Sequence, residues 1–467
     1  MQSTTKLTVK NVELIERPLR LRFPFKFGVI TLTEAPQLFL KLTIEDENGK
    51  HADGYTAELM VPKWFDKNKD LSHDDNFNQL RRAVAIARGF VLEQSEYLTA
   101  WKLHADMQGH VHKVCESEGL NPLIASFGVA QFDKAILDAV CRLNNVSFYA
   151  AIQNNIAGMS VDEFDIDAVL KNLSPLKFVE ARHTIGLADA LTVGEIDQPL
   201  KDGLPQSLDQ VCDFYGQSYF KIKVNGNLDT DIERLCNIAK VLDALDRPYY
   251  STLDGNEQYQ NAAHFTELVD AISKHENLKR LKDSILYIEQ PIHRDRALEH
   301  DISALSDVMP VILDESDCTD DIFVKGKDLG YRGISSKACK GLYRSLLNCA
   351  RAKVWNAAEG AEKYFLSAED LTTQAGLAVQ QDLALISLMG LTHVERNGHH
   401  YVHGMSGASE QECKSFADMH SGLYRFENGK SFLNIKNGKL DIASLDCTGY
   451  ASSALPIFDD VENKAVA

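Results

Sequence analysis

The sequence predicts an α/β protein in which a closed barrel of parallel strands follows a smaller α+β domain. Strand-like and then helical patterns fill roughly the first 150 residues. From about residue 176, short apolar runs alternate with amphipathic helices, and eight such runs fit into about 220 residues. An open doubly wound sheet is the alternative, but no Gly-rich phosphate-binding fingerprint follows the first run.

The first domain is expected to span residues 1–150. Asp46–Gly49 has the composition of a hairpin turn between two strands. The Phe23–Gly28 segment combines aromatic residues with residues that break secondary structure, and it predicts a loop. Helical periodicity extends from Phe77 to Gln108 and is stronger from Ser126 to Leu143, where apolar residues fall on one stripe.

The barrel is expected to span residues 151–420, and residues 421–467 are expected to pack back on the first domain. An acidic first turn marks the start of one connecting helix, Leu228–Leu245. The eight predicted strands are Phe178–Ala181, Tyr219–Val224, Tyr249–Leu253, Ile285–Ile288, Val311–Leu313, Gly333–Ser336, Tyr364–Leu366 and Thr392–Val394.

Charge and composition exclude several classes of function. The 49 basic residues against 67 acidic ones give a net charge of −18, which argues against nucleic acid or an anionic membrane as a partner. We find no apolar run of membrane-spanning length, and Met1–Lys10 lacks the apolar core of a signal peptide. The nine cysteines form no C-x-x-C pair, so we expect reduced thiols and a cytoplasmic location.

Three successive apolar runs end on an acid: Asp254, Glu289 and Asp314. Barrel enzymes place their chemistry at the carboxyl ends of strands, so these carboxylates are expected to meet at one point. Like charges repel unless a cation joins them. An all-oxygen site for a hard cation is therefore predicted, with Mg²⁺ as the ion.

Lysines flank these acids. Lys221 and Lys223 share one face of the second strand, and Lys337 follows the sixth strand, roughly opposite. A solvated strand edge is the simpler explanation for the lysine pair, but the flanking residues are apolar. We expect each ammonium of the pair to depress the pKa of the other, so that a lysine can act as a base near neutral pH.

In this order, the residues resemble the motifs of the enolase superfamily, in its muconate lactonizing enzyme (mandelate racemase/muconate lactonizing enzyme-like) subgroup. The resemblance covers most of the chain and is strongest from about residue 219 to 341. The matching motifs are Lys221-Ile222-Lys223, Asp254-Gly255-Asn256, Glu289-Gln290-Pro291, Asp314-Glu315-Ser316 and Lys337-Ala338-Cys339-Lys340-Gly341.

The resemblance implies a modified TIM barrel of (β/α)7β type with an α+β capping domain built from the N-terminal region and the C-terminal tail. It also implies a bound Mg²⁺ and abstraction of a proton α to a carboxylate through an enediolate intermediate. The implied ligands are Asp254, Glu289 and Asp314.

The same resemblance assigns roles to the lysines. Lys223 is the expected base on one face of the substrate, with Lys221 as its electrostatic partner. Lys337 is the expected acid or base on the other face. The side chains expected to support this site from behind are Asn256, Glu315 and Lys340.

Substrate contacts are harder to assign, because extra sequence near 61–75, 187–206 and 396–420 departs from the usual member of the family. Candidates from the sequence are Lys26, Trp64, His183, Glu369 and Glu395.

Two opposed lysines favour a racemase or epimerase, in which one lysine removes the proton and the other returns it. A lyase, either a cycloisomerase or a dehydratase, is the alternative on the same site, and a non-catalytic binding protein is the alternative from another class. A metal-dependent hydrolase would need paired histidines on the first strand, which offers only His183. The expected partner is a small-molecule carboxylate. Homo-oligomers are common in the family, which leaves the oligomeric state open.

Overall fold

An antiparallel sheet and a curled parallel sheet organise the computed structural model, which describes residues 4–28 and 30–458. The antiparallel sheet has the order β3-β2-β1-β4. Its strands are β1 (Lys6–Phe27), β2 (Ile30–Asp46), β3 (His51–Leu59) and β4 (Leu98–Thr99). Gly49 N donates to Asp46 O over 2.9 Å in the turn between β2 and β3, which confirms the predicted hairpin.

The predicted loop at Phe23–Gly28 is wrong, because β1 continues to Phe27. Phe25 and Phe27 pair with Leu32 and Ile30 on β2. The register shifts between Arg20 and Phe25, and this irregularity accommodates the proline at position 24.

Three helices cover one face of the antiparallel sheet: α1 (His73–Glu93), α2 (Ala100–Ser117) and α3 (Pro122–Leu143). Asn121 caps α3, since its side chain accepts hydrogen bonds from Leu123 N and Ile124 N. Almost every residue of α3 is buried. The close approach of β3 to this helix requires Gly54, because a Cβ there would lie 2.0 Å from Ala135 O. Two short helices, α4 (Phe148–Gln153) and α5 (Ile166–Lys171), lead to the barrel.

The parallel sheet contains the eight predicted strands, and Val311–Leu313 and Gly333–Ser336 have the predicted bounds. Its paired order is β11-β10-β9-β8-β7-β6-β5-β12. The two ends of this order approach each other, since Arg182 Nη2 on β5, the strand next to β12, donates to the backbone oxygen of Ala368 on β11 over 2.9 Å. The strands are β5 (Phe178–Ile185), β6 (Tyr219–Lys223), β7 (Tyr250–Asp254), β8 (Ile285–Glu289), β9 (Val311–Leu313), β10 (Gly333–Ser336), β11 (Phe365–Ala368) and β12 (His393–Arg396).

Helices follow most of these strands. Asn227 caps α7 by accepting a hydrogen bond from Thr230 N, next to the acidic first turn predicted from sequence. The helices are α6 (Leu208–Tyr215), α7 (Leu228–Asp243), α8 (Ala262–Lys274), α9 (Lys279–Ser284), α10 (Ser303–Val308), α11 (Ile322–Asp328), α12 (Leu342–Glu359), α13 (Leu377–Leu388), α14 (Gly398–Tyr401) and α15 (Glu410–Met419). Across the described ranges, none of the helices has both the length and the apolar character needed to cross a bilayer.

The C-terminal segment contacts both domains. Its strands are β13 (Tyr424–Glu427), β14 (Lys430–Leu433) and β15 (Lys439–Asp441), and β15 adds to the barrel by pairing antiparallel with β5. Beyond it, Tyr450 N donates to Asp138 Oδ1 on α3 over 2.5 Å. The domain boundaries stay a prediction, and residues 459–467 of the expected C-terminal segment lie outside the described residues.

Candidate active site

The carboxyl ends of the barrel strands bring the predicted acids and lysines together. Lys223, Asp254 and Glu289 are register partners on β6, β7 and β8, so they lie at one level. Asp314 directly follows β9, the next strand along. All four side chains are buried. The parallel sheet therefore brings together residues that are far apart in sequence: Asp254 is 31 positions from Lys223, and Glu289 is 68 positions from Lys221.

Lys221 lies at the centre of a cluster of carboxylates. Its Nζ is 2.8 Å from Glu289 Oε1, 2.8 Å from Glu369 Oε2 and 2.9 Å from Glu395 Oε2. Asp254 Oδ2 lies 3.0 Å from the same nitrogen. Four acids around one ammonium make Lys221 a fixed positive charge.

The other two lysines each pair with one acid. Lys223 Nζ donates to Asp254 Oδ2 over 2.6 Å, and Lys337 Nζ donates to Asp314 Oδ2. Lys223 ends β6, whereas Lys337 follows β10, four strands further along the paired order. In a curled sheet of eight parallel strands, four strands of separation place the two lysines on opposite sides.

The predicted depression of the pKa is wrong for Lys221. Burial alone would lower the pKa of Lys221, but the carboxylates of Asp254, Glu289, Glu369 and Glu395 outweigh it and raise the pKa well above its ordinary value. For Lys337, burial is likewise outweighed by Asp314, and the pKa is raised. The prediction from sequence considered only the like charge of the neighbouring lysine and did not count the carboxylates that surround the ammonium group.

The acids respond unequally to this surrounding charge. Burial would raise the pKa of Asp314, but Lys337 and Lys340 lower it below the usual range. Lys221 and Lys223 similarly lower the pKa of Asp254 against the effect of burial. For Glu289, burial and the nearby Asp254 carboxylate raise the pKa well above its usual range.

The chemistry of these oxygen donors fits a hard divalent cation. Asp254, Glu289 and Asp314 offer buried carboxylates from adjacent strands, as Mg²⁺ prefers. Glu289 Oε2 receives no hydrogen bond of good geometry, although Lys221 Nζ is 2.8 Å away. Within residues 4–28 and 30–458, no three His, Cys, Asp or Glu side chains already have the arrangement of a metal site. These three acids are the residues that would hold the ion.

Side chains behind the acids are fixed by further hydrogen bonds. Asn256 Nδ2 donates to Glu315 Oε1 over 3.2 Å, and Lys340 Nζ donates to Ser335 O over 2.7 Å. Lys340 Nζ also lies 3.3 Å from Asp314 Oδ1. The structure therefore brings the predicted supporting residues to the site.

Lys67, from the extra segment near 61–75, was missed by the sequence reasoning. Its Nζ donates to Asn256 O over 3.0 Å, and it also forms an ion pair with Glu257. This lysine ties the first domain to the mouth of the barrel.

A cavity of about 30 Å³ lies between the lysines and the first domain. Its barrel side includes Lys221, Lys223 and Lys337, and its other side is formed by apolar side chains of the first domain. Those apolar side chains are Phe25, Phe27, Val61 and Trp64. The first domain therefore caps the site with a wall that carries no charge.

The five candidate substrate contacts have different outcomes. Trp64 lines the cavity, with its ring centroid 4.5 Å from Lys337 Nζ. Glu395 lines it too, and Glu369 reaches it through Lys221. Lys26 is exposed between the two inward phenylalanines of β1 and is not brought to the cavity. His183 is buried on β5 away from the lining residues, and burial lowers its pKa to about 3.

Arg182 was also missed, although the sequence contained a signal for it. Its Nη2 pairs with Glu369 beneath the site, and both side chains are fully buried. Arg182 precedes Thr184 by two positions on β5, so both face the same side of the strand. An arginine in a strand predicted to lie inside a parallel barrel is costly to bury unless a partner is present, and that cost was the available signal.

Sequence comparisons find no match, whereas structural comparisons find many. No protein-family model and no curated protein sequence matches the chain. A mandelate racemase/muconate lactonizing protein from Herpetosiphon aurantiacus is 14% identical, with a TM-score of 0.62 over 96% of this chain and 99% of that one. A 2-chloromuconate cycloisomerase from Rhodococcus opacus is 15% identical, with a TM-score of 0.62 over 96% and 97% of the two chains.

A third similar structure is a dipeptide epimerase from Enterococcus faecalis, in complex with Mg and the dipeptide L-Leu-L-Tyr. It is 12% identical, with a TM-score of 0.61 over 95% of this chain and 99% of that one. Similarity of this extent at such low identity establishes the fold. The chain therefore has the enolase-superfamily fold of the mandelate racemase and muconate lactonizing proteins, a capping α+β domain on a modified TIM barrel.

Proposed function

We propose that this protein is a Mg²⁺-dependent racemase or epimerase that removes a proton α to a carboxylate and returns it to the opposite face. One observation carries the proposal: Lys223 and Lys337 line one cavity from strands four apart in the barrel. Inversion at carbon needs a proton acceptor on one face and a proton donor on the other. The capped cavity keeps both groups away from bulk water.

The lysines exchange roles between the two directions of the reaction. In one direction, Lys223 Nζ, in its neutral form, takes the α-proton, and the C–H electron pair moves into the carboxylate to give an enediolate. Lys337 Nζ, as an ammonium, then donates a proton to the opposite face of the α-carbon. The reverse direction starts with Lys337 neutral and Lys223 protonated, so no net proton is gained or lost.

Lys221 has a different role in this scheme. Its four carboxylate neighbours hold it as an ammonium, so it supplies positive charge beside the intermediate and does not act as a base. Mg²⁺ held by Asp254, Glu289 and Asp314 would act as a Lewis acid that stabilises the second negative charge of the enediolate.

A lyase, either a cycloisomerase or a dehydratase, is the second candidate and shares the first proton abstraction. The observation that favours it is the environment of Lys337, whose ammonium lies between Asp314 and the face of the Trp64 ring. Both neighbours stabilise the charged form. A lysine held in this form suits protonation of a leaving group or purely electrostatic stabilisation.

Exchange of the α-proton in D2O tests the proposal. Wild-type protein with Mg²⁺ should incorporate deuterium into both enantiomers of a carboxylate in a chemically diverse library, read by mass spectrometry and chiral chromatography. Lys223→Ala should slow exchange of one enantiomer, and Lys337→Ala should slow exchange of the other. Each rate should fall by at least about 100-fold, the size of general acid–base effects.

Lys102→Ala, at an exposed lysine of α2, is the matched control and should leave exchange unchanged. Exchange that survives both active-site substitutions would refute the assignment. Formation of a ring or a new C=C bond would select the lyase. Binding of Mg²⁺ and carboxylate without any exchange would select a non-catalytic binding protein.

A further inference from the structure

Glu257 is a charged residue in a backbone conformation that usually belongs to glycine. It follows Asp254 in the loop after β7, and its φ is 70°. Residues with a Cβ rarely adopt positive φ, and those that do persist where the surrounding structure enforces the conformation, most often at functional sites. Its side chain is fully buried. A buried glutamate at a position that suits glycine indicates that the carboxylate itself is needed there.

Two cations from different parts of the chain converge on this carboxylate. Arg294, in the loop after β8, donates from Nε to Glu257 Oε1 over 2.8 Å and from Nη2 to Glu257 Oε2 over 2.9 Å. The backbone N of Arg294 also donates to Oε1 over 2.7 Å, and Lys67 of the first domain forms a second ion pair. Burial would raise the pKa of Glu257, but Arg294 and Lys67 lower it to about 2. Glu257 is therefore an anion at neutral pH.

The same guanidinium holds the backbone of the first domain. Arg294 Nη1 donates to Phe65 O over 2.9 Å, and Arg294 Nη2 donates to Trp64 O over 2.9 Å. A guanidinium is planar and donates in several fixed directions at once, which an ammonium group on a flexible stem does not do. Glu257 thus fixes the plane of the guanidinium, and that plane fixes the two carbonyl groups.

The ring of Trp64 lies over one of the two opposed lysines. Its centroid is 4.5 Å from Lys337 Nζ, and Trp64 is 3% exposed. The other lysine has a more distant aromatic neighbour, since the Phe27 centroid is 5.9 Å from Lys223 Nζ. Tryptophan is also the stronger partner for a cation. The first domain therefore restrains the amine of Lys337 more than that of Lys223.

From these contacts, we propose that Glu257 and Arg294 are positioning residues, which fix the backbone at Trp64 and so hold its ring against the amine of Lys337. Neither of the two side chains lines the cavity. Their effect on catalysis rests on the proposed function, whereas the position of the Trp64 ring can be measured without turnover. A role in stability alone would affect both faces of the substrate equally, but positioning through Trp64 affects the face served by Lys337.

Arg294→Lys breaks the link with little disturbance, because it keeps a positive charge beside Glu257 but loses the planar fork. In a background with Trp101→Phe and Trp355→Phe, Trp64 is the one tryptophan left of the three in the chain. Acrylamide quenching of its fluorescence then reports the exposure of the ring. Arg294→Lys should raise the Stern–Volmer constant at least about twofold, because the segment that carries Trp64 opens locally.

Arg296→Lys, at an exposed arginine of the same loop, is the matched control and should leave the quenching unchanged. Quenching that stays the same in Arg294→Lys would overturn the inference and leave the proposed function intact.

Exchange of the α-proton tests the effect on catalysis. Arg294→Lys should slow exchange of the enantiomer that depends on Lys337 by at least about tenfold, and it should change the other enantiomer by no more than about twofold. In a Trp64→Leu background, which already lacks the ring, Arg294→Lys should cause little further loss, because the two residues act in series. Equal losses for both enantiomers, or additive losses in the double variant, would contradict positioning through Trp64.

Glu257→Gln is the second variant, since it keeps the shape of the side chain and removes the charge that orients the guanidinium. Both effects of Arg294→Lys should be reproduced by it, and thermal unfolding shows whether the variant is folded. If it is not folded, Arg294→Lys decides the question alone. Absence of exchange with every carboxylate tested would refute the proposed function, while the quenching result would still decide whether Glu257 and Arg294 position Trp64.

Discussion

The ion pair between Arg182 and Glu369 sets two full charges beneath the cavity where neither reaches solvent. Glu369 also accepts from Lys221 Nζ, so the pair supports the charged cluster of the site from below. A buried charge that loses its partner is destabilising, whereas a neutral pair of similar shape is tolerated.

Arg182→Met should therefore destabilise the protein by about 3 kcal/mol, because Glu369 keeps only one of its two cationic partners. Urea unfolding followed by circular dichroism measures this change. Addition of Glu369→Gln to the same variant should recover part of the loss. An unchanged free energy of unfolding in Arg182→Met would show that the pair contributes nothing.

Among single residues, the sequence identified those site residues that lie at the ends of strands. Lys223, Asp254, Glu289 and Asp314 each close or follow an apolar run, and the parallel sheet brings such ends together. Lys67 could not be found this way, because it lies outside the strands and is recognised only from its contacts with Asn256 and Glu257.

Packing of β3 against α3 depends on a single glycine. A Cβ on Gly54 would meet Ala135 O at 2.0 Å and Ala139 N at 2.7 Å, and both are backbone atoms of a buried helix. The backbone of α3 cannot shift away from an added methyl group without moving the interface between the two domains.

Gly54→Ala is expected to cost about 3 kcal/mol, through overpacking at this contact. Gly89→Ala is the matched control, because Gly89 lies in α1 with nothing within 4 Å of its would-be Cβ. That substitution should stabilise the protein by about 1 kcal/mol through helix propensity. Thermal unfolding of both variants gives the comparison, and equal stability of the two would contradict the account.

The strands of the barrel were predicted correctly from sequence, whereas the Phe23–Gly28 segment was not. The barrel strands were recognised because buried parallel strands are continuous apolar runs. The Phe23–Gly28 segment was misjudged because Pro24 was taken as a chain break, whereas it lies at a register shift of a long hairpin. The pairing of β15 with β5 joins residues about 260 positions apart, and local pattern carries no information on such a partner.

The whole molecule is held together by the C-terminal segment as well as by the interface of the two domains. Arg17 on β1 donates to both carboxylate oxygens of Glu412 on α15, at 3.0 and 2.8 Å. His420 anchors the same region, since its Nε2 accepts from Ser453 N and its Nδ1 lies 3.1 Å from Ser444 Oγ. An acceptor at Nε2 requires the neutral ring.

Stability should consequently fall on mild acidification. Burial lowers the pKa of His420 to about 4 from its usual 6.5, so the unfolded chain takes up a proton that the folded protein refuses. The stability from this neutral histidine is complete above pH 6.5 and is lost as the pH falls towards 4. The free energy of unfolding should fall by about 2 kcal/mol between pH 7 and pH 5 from this residue alone.

His420→Gln keeps a polar side chain and cannot titrate. Urea unfolding at several pH values should give a difference in free energy between wild type and variant that shrinks from pH 7 to pH 5. A difference that stays constant or grows over this interval would contradict the neutral state of His420.

The proposed function depends on Asp254, Glu289 and Asp314 holding a divalent ion between two opposed lysines. The decisive measurement is a crystal structure with Mg²⁺ and a bound carboxylate whose α-proton the protein exchanges. We expect an ion about 2.1 Å from one oxygen of each of these acids, and an α-carbon between the Nζ atoms of Lys223 and Lys337. An ion bound elsewhere, or both lysines on one face of the α-carbon, would contradict it.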